Sequence, residues 1–160
     1  MKHVISALVQ NKPGVLAHVA GMFAARAFNI DSLAVGRTDD PNLSRMTIVV
    51  IGDSKVVEQV RKQLGKIVSV VKVQDFLGQD IVNRDLMLIN VHTTQDKRPE
   101  IQSLVTMFDA KVVDIGPKNV MIEISGPESK VEAFIEACKP YGIKSMARTG
   151  TIAMPRYNRG

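Results

Sequence analysis

The sequence is poor in the residue types that build covalent or base-stacking sites. Of its 160 residues one is cysteine, none is tryptophan, and aromatic residues make up 4%. Cys138 therefore cannot form an internal disulfide, and its helix-like surroundings predict a buried structural thiol rather than a reactive one. Without strand aromatics in a Lys/Arg-Gly-Phe/Tyr signature, the RNA-recognition motif is a distant alternative.

Glycine and histidine are too widely spaced for the common nucleotide and metal motifs. The two closest glycines, Gly14 and Gly21, are seven residues apart, which excludes Gly-x-Gly-x-x-Gly and Walker-type phosphate loops. His3, His18 and His92 are scattered and there is no cysteine pair, so the spacing of metal ligands is missing. A Ser-His-Asp triad assembles in space and is not excluded by spacing, but nothing favours one.

Long apolar segments are also missing. Uninterrupted aliphatic runs are short, as at residues 48–51, whereas a membrane-spanning helix needs about 20 apolar residues. The sequence starts without the apolar stretch and small-residue cleavage site of a secretory signal. We therefore expect a cytoplasmic protein with no membrane partner.

Acidic residues are missing from the last part of the chain. The formal net charge is +5, from 21 basic and 16 acidic residues, and no acidic residue follows Glu136. The tail is therefore basic, and a solvated tail is the default interpretation, with nucleic acid or an acidic protein surface as alternatives. Five cations lie in this tail: Lys139, Lys144, Arg148, Arg156 and Arg159.

The first half of the chain follows a recognisable order of elements. Residues 4–9 read as a strand, residues 15 to about 28 as a helix, and residues 30–37 and 43–51 as a hairpin around turn formers at 38–42. Asp53 can cap a second helix that ends near Gly65, and a strand at 68–73 follows. Strand, helix, strand, strand, helix, strand is the ferredoxin-like order.

The same order restarts after residue 80. Residues 86–91 read as a strand, a helix begins near Pro99, strands follow at 111–115 and 119–125, and Ser125 with Glu128 has the spacing of a capping box for a last helix. The sequence thus predicts an α+β protein of two ferredoxin-like βαββαβ domains in tandem. We place the first domain at 1–76, a linker at 77–80, and the second domain with the basic tail at 81–160.

The first predicted helix is apolar nearly all round. Between residues 15 and 28 the clearly polar side chains are His18 and Arg26. A sheet covers one side of a helix, so a helix apolar on several sides needs a second partner. We therefore expect the first domain to self-associate along this helix, as a homodimer or a higher oligomer, and we interpret His18 as a surface or interface residue.

The turn at residues 11–14 is the most informative candidate site. Gly14 falls at the start of the first helix, where unpaired N–H groups and the positive end of the helix dipole suit a carboxylate. Glycine there lets a ligand approach the backbone closely. The alternative is an ordinary tight strand-to-helix turn without a ligand.

These residues resemble a known family. Asn11-x-Pro-Gly14-Val-Leu followed by Asn29-Ile30 is similar to the effector loop of ACT domains, which bind amino acids at a dimer interface. Residues 29–33 and 38–48 closely resemble the small regulatory subunits of acetohydroxyacid synthase, also called acetolactate synthase. Residues 84–89, 108–114, 140–143 and 148–154 resemble the second domain of the same family, so the likeness covers nearly the whole chain.

The resemblance implies a non-catalytic subunit with an ACT domain first. Such a subunit activates a separate catalytic subunit, which carries thiamine diphosphate, Mg²⁺ and usually FAD, and confers feedback inhibition by valine or a related branched-chain amino acid. No cofactor is expected in this chain, and no nucleic acid as partner. The effector positions that the resemblance implies are Asn11, Gly14, Val15, Leu16, Asn29 and Ile30.

Two other functions stay open at this point. One is an amino-acid-binding ACT regulator that acts without this enzyme partner. The other is a small enzyme or RNA-binding module of ferredoxin-like fold. Co-purification with a large thiamine-dependent subunit distinguishes the family interpretation from a regulator that acts without this enzyme. Activity or RNA binding by the chain alone supports the enzyme or RNA-binding module.

Overall fold

The computed structural model describes residues 1–157 and consists of two compact units. Residues 1–82 and 151–157 form the first unit, and residues 83–150 form the second. The first unit holds a four-stranded antiparallel sheet of order β2-β3-β1-β4. Its elements are β1 (Lys2–Gln10), α1 (Val15–Ala25), β2 (Asn29–Arg37), β3 (Leu43–Ile51), α2 (Ser54–Gly65) and β4 (Val70–Asp75).

The second unit repeats this arrangement. Its sheet has the order β6-β7-β5-β8, and a short last strand, β9, also pairs with β5. The elements of the second unit are β5 (Ile81–His92, whose first two residues belong to the first unit), α3 (Arg98–Met107), β6 (Lys111–Ile115), β7 (Asn119–Gly126), α4 (Glu128–Cys138), a 3-10 turn (Lys139–Tyr141) and β8 (Ile143–Arg148). β9 (Ile152–Pro155) belongs to the first unit. The predicted fold class, two βαββαβ units of the ferredoxin-like kind, is confirmed.

Alternation along the strands places the core of the first unit between sheet and helices. Ile5 and Ala7 of β1 lie opposite Ile48 and Met46 of β3, and all four side chains are buried. Because successive strand residues point to opposite faces, this register sends one apolar set towards the helices. The helices complete the core with Val15, Val19 and Phe23 from α1 and Val57, Val60 and Leu64 from α2.

Local capping signals are confirmed in one helix and wrong in another. The Asp53 carboxylate accepts a hydrogen bond from the Val56 N–H at 3.1 Å, as a helix cap does. The capping box proposed for α4 does not form, because β7 continues through Ser125 to Gly126. Pro127 then occupies the cap position and has no side-chain hydrogen bond.

The chain end groups with the first unit, which differs from the boundaries expected from the sequence. Residues 151–157 belong to the first unit, whereas the sequence predicts them in the second domain. The Thr151 N–H donates to Ser32 Oγ at 3.4 Å, and the Arg156 N–H donates to the Asp80 carbonyl at 3.0 Å. These bonds join the chain end to β2 and to the predicted linker at 77–80, which runs between β4 and β5.

Much of the tail's positive charge is paired with carboxylates. Lys139 lies 2.5 Å from Glu136, and Arg156 lies 3.2 Å from Asp80. Arg148 Nη2 contacts Asp85 at 2.7 Å, and Arg148 Nη1 contacts Glu132 at the same distance. The paired cations offer less free charge to nucleic acid than the sequence indicates. The fifth predicted tail cation, Arg159, lies outside the described residues.

Two buried groups of the second unit, Asp85 and Cys138, have different surroundings. The Asp85 side chain is 2% exposed, so its contact with Arg148 compensates a carboxylate that water does not reach. Cys138 is 1% exposed in the core, and burial raises the pKa of its thiol to about 11. The prediction of a buried structural cysteine is confirmed.

The end of α1 contains a strained alanine. Ala27 has φ of 55°, in the left-handed region, where the Phe28 N–H bonds back to the Phe23 carbonyl at 3.2 Å. This hydrogen bond closes a helix-ending motif that usually places glycine at the left-handed position. The corresponding residue after α3 is Asp109, with φ of 52°, and Asp tolerates this conformation better than Ala.

We therefore predict that Ala27→Gly stabilises the protein. Relief of left-handed strain raises the free energy of unfolding by about 1–2 kcal/mol. The greater conformational freedom of glycine in the unfolded chain lowers it by about 0.4–1 kcal/mol. The expected net gain is about 0.5–1 kcal/mol in urea unfolding of the full chain. The matched control is Ala133→Gly on the exposed side of α4, which should destabilise by about 1 kcal/mol. A loss of stability in Ala27→Gly contradicts the prediction.

Candidate functional site

The turn between β1 and α1 is held by backbone and side-chain hydrogen bonds. The Asn11 N–H donates to the Asn42 carbonyl at 2.7 Å, and Asn11 Nδ2 donates to the Pro41 carbonyl at 3.1 Å. Asn11 therefore fixes its own turn against the β2–β3 connection. Its side-chain carbonyl oxygen accepts none of the hydrogen bonds found within residues 1–157.

Gly14 occupies the cap position of α1 in a conformation that favours glycine. Its φ is 85° and its ψ is −11°, and no side chain caps the helix start within the described chain. The Gly14 carbonyl accepts from the His18 N–H at 2.9 Å, which starts the ladder of helix bonds. The N–H groups before His18 belong to the first turn, where helices leave donors for other acceptors.

The space above Gly14 is open. A Cβ built on this residue meets no other atom within 4 Å. No acidic residue lies in the first turn of α1, and the neighbouring Lys12 adds a positive charge. The Val15 N–H donates to the Lys12 carbonyl at 3.5 Å. Open space, the remaining first-turn N–H groups and the positive end of the helix dipole together suit a small carboxylate.

Val15 and Leu16 face different surroundings. Val15 is buried in the core of the first unit, whereas Leu16 is 47% exposed. Val15 can therefore offer a ligand its backbone, and Leu16 can offer an apolar side chain. The prediction that both take part in effector binding remains a prediction.

Asn29 and Ile30 begin β2. Asn29 lies opposite Ile51 and is exposed, while Ile30 lies opposite Val50 and packs partly against the core. An exposed carboxamide next to a half-buried aliphatic side chain suits the polar and apolar parts of an amino acid. Neither residue has a charge of its own.

The structure separates the six candidate residues into two groups. Asn29 and Lys2 both lie opposite Ile51, whereas Gln10, next to Asn11, lies opposite Leu43. From Lys2 to Gln10 the strand advances eight residues, which is about 26 Å at about 3.3 Å per residue. Within one chain, Asn29 and Ile30 therefore lie at the opposite end of the sheet from the turn at 11–16.

The outer side of α1 and the edge strand β2 both carry exposed apolar side chains. On α1 the buried residues are Val15, Val19 and Phe23, and the other face leaves Leu16 and several alanines exposed. β2 is the edge strand of its sheet, and its Leu33 and Val35 are 38% and 46% exposed. Sequence reasoning found the helix face and missed the strand, although the alternation of Leu33 and Val35 was visible.

Other kinds of site find no support in the described part of the chain. Residues 1–157 contain no group of three or more His, Cys, Asp or Glu side chains placed to hold a metal ion. Among the same residues, no helix is both long and apolar enough to cross a membrane.

Comparison with known proteins identifies the family of this chain. The family model "AHAS small subunit-like ACT domain" matches residues 5–72, and the model "Small subunit of acetolactate synthase" matches residues 84–157. A probable acetolactate synthase small subunit of Archaeoglobus fulgidus is 54% identical over 159 residues, covering 99% of both chains. The chain belongs to the acetolactate synthase small subunit family.

Further members of the acetolactate synthase small subunit family show the same full-length likeness. The small subunit of Aquifex aeolicus is 46% identical and covers 97% of this chain and 81% of its own length. The small subunit of Bacillus subtilis is 43% identical and covers 98% of this chain and 91% of its own length. The crystal structure of the small subunit from Thermotoga maritima aligns with a TM-score of 0.91 at 46% identity, covering 99% of each chain.

Proposed function

We propose that this chain is the non-catalytic regulatory subunit of a cytoplasmic acetohydroxyacid synthase. It binds the catalytic subunit, raises its activity and confers feedback inhibition by valine or a related branched-chain amino acid. Thiamine diphosphate, Mg²⁺ and FAD belong to that catalytic partner in this proposal. The family membership of both domains supports this role over a free-standing ACT regulator, because residues 84–157 match the acetolactate synthase model as well.

The proposal includes a homodimer of the first domain. β2 is an edge strand with exposed Leu33 and Val35, and α1 has an uncovered apolar face beside it. An edge strand with apolar side chains is a template for pairing with another chain. Most homodimers have two-fold symmetry, so a second copy would pair its own β2 with this edge in antiparallel orientation.

This pairing would bring the two groups of candidate residues together. Antiparallel strands run in opposite directions, so the Asn29 end of one β2 lies beside the Arg37 end of the other. Arg37 lies opposite Ser44, next to the end of β1 that carries the turn at Asn11. The separation of about 26 Å within one strand is therefore the observation that supports a site shared between two copies.

Each residue then has a chemical role in binding an aliphatic amino acid. The N–H groups in the first turn of α1, other than that of Val15, hold the carboxylate. Asn11 of one copy and Asn29 of the other bind the polar ends of the ligand. Leu16 and Ile30 contact its branched side chain, and Val15 anchors the helix start in the core.

We predict a dimer at micromolar concentration in sedimentation velocity. Leu33→Lys places a charge on the pairing edge and should shift the protein to monomers, because edge lysines oppose strand pairing. The matched control is Val71→Lys on the opposite edge strand β4, where Val71 is 56% exposed, and it should remain dimeric. A wild-type monomer whose α1 amides exchange freely with solvent would show that the interface does not exist.

We predict that Gly14→Asp weakens valine binding in calorimetric titration. The new carboxylate occupies the place of the ligand carboxylate and opposes it at a helix end, where charge alone is worth roughly 0.3–1 kcal/mol. Steric exclusion adds to that figure, so the loss of affinity should exceed it. A Cβ built here meets no atom within 4 Å, so the cost of the change to the fold comes from the left-handed φ of 85°, which L side chains rarely adopt.

Gly78→Asp is the matched control for this titration. Gly78 also has a left-handed φ, of 72°, and also has open space around a built Cβ. Both variants thus carry the same charge and the same backbone strain, but Gly78 lies in the linker. If Gly14→Asp remains dimeric and binds valine with unchanged affinity, the effector does not bind at this turn and the prediction is wrong.

We predict that the chain alone forms no acetolactate and raises the turnover of its catalytic subunit. The measurement is reconstitution of the two subunits with pyruvate, with and without valine. Turnover should rise as the small subunit is added and should fall when valine is present. If a saturating amount leaves turnover unchanged, the regulatory role is wrong.

A further inference from the structure

A cleft opens between the end of α1 and the outer side of α2. Its volume is about 390 Å³, and Ala25, Arg26, Phe28, Gln59 and Gln63 line it. The lining has one cation, two carboxamides and one aromatic ring, and it has no acidic residue. The site proposed for the amino-acid effector does not use these side chains.

Arg26 is a cation without a partner inside the described chain. Its guanidinium forms no ion pair or side-chain hydrogen bond with any of residues 1–157, although other arginines such as Arg61 and Arg148 have carboxylate partners. The end of α1 does not need it as a cap, because the Arg26 N–H bonds to the Met22 carbonyl and the Phe28 N–H to the Phe23 carbonyl. The guanidinium can therefore bind an outside carboxylate through two parallel hydrogen bonds.

The other walls of the cleft suit the same group. Gln59 and Gln63 are four residues apart on α2 and so lie side by side on one face of the helix. Their amide groups add donors beside the guanidinium. Phe28 is held edge-on to Phe23, with ring centroids 6.0 Å apart, and gives an apolar wall for the stem of a side chain.

The shape of the cleft favours a carboxylate presented by a protein. Small-molecule sites bury most of the ligand surface in a deep cavity, whereas this depression is open to solvent and has five lining residues. A side chain that is fixed on a folded partner loses little further freedom, and the contacts around it add to binding. Arginine is also one of the residue types that dominate binding energy at protein interfaces.

We propose that this cleft docks an aspartate or glutamate side chain of the catalytic subunit. The inference rests on the regulatory role proposed above and names the surface of the first domain that meets the enzyme. Phe28 directly precedes Asn29, so the docking cleft adjoins one half of the proposed effector site. Effector and catalytic subunit would thus contact neighbouring residues of the same loop.

The test uses the full chain and its catalytic subunit, with the affinity of the complex measured by interferometry and activation measured with pyruvate. Arg26→Gln removes the cation and should weaken the complex at least tenfold, with a smaller dependence of the association rate on salt. Arg26→Lys keeps the charge but loses the two parallel hydrogen bonds of the guanidinium. Its affinity for the catalytic subunit should lie between those of wild type and Arg26→Gln. Valine binding by each variant alone should stay unchanged.

Lys55→Gln is the matched control. Lys55 is an exposed cation on the same helix α2, outside this cleft, so its removal changes the net charge equally and should leave the affinity at the wild-type value. The inference is overturned if Arg26→Gln binds the catalytic subunit as wild type does, or if Lys55→Gln loses as much affinity. A wild-type chain that neither binds nor activates the enzyme overturns the proposed function itself.

Discussion

The register of three long strands is the constraint on which the candidate site depends. β1, β2 and β3 each have nine residues and are paired over their length. The buried face of β1 and β3 fixes this register, because a slip of one residue would turn the apolar side chains outwards. The same register fixes Asn29 at one end of the sheet and the turn at Gly14 at the other.

The uncovered surfaces of α1 and β2 bear on the separation between Asn29 and the turn at Gly14. A ferredoxin-like unit covers one face of its sheet with two helices, and α1 uses Val15, Val19 and Phe23 for that purpose. The opposite face of α1 and the edge of β2 remain apolar and uncovered in the single chain. A second copy related by a two-fold axis would cover both surfaces and complete two equivalent sites, so the fold and the effector site would depend on the same contact.

Much of the fold was predictable because its signals are local. Alternating apolar residues predicted the strands. Asp53 predicted the start of α2, because a short carboxylate before a helix accepts a hydrogen bond from an N–H of the first turn. The capping box predicted at Ser125 was wrong because Ser125 belongs to β7, where it pairs with Leu86 of β5. The grouping of 151–157 with the first unit depends on bonds such as Thr151 to Ser32, between residues far apart in the chain.

The candidate site was only partly predictable for the same reason. Gly14 could be identified from its place before a helix, and its left-handed φ agrees with that choice. The distance between Asn11 and Asn29 could not be read from the motif, because it depends on strand register. The left-handed conformation of Ala27 could not be predicted either, because in a sequence this position at a helix end is usually identified by a glycine.

Mixed dimers test most directly whether the effector site is shared between two copies. A Gly14→Asp chain and an Asn29→Ala chain, carrying different affinity tags, would be unfolded together, refolded and purified through both tags. Each variant alone should lose valine binding, and the heterodimer should regain one intact site, built from the wild-type turn of one copy and the wild-type Asn29 of the other. A heterodimer that binds valine no better than either variant would contradict a shared site.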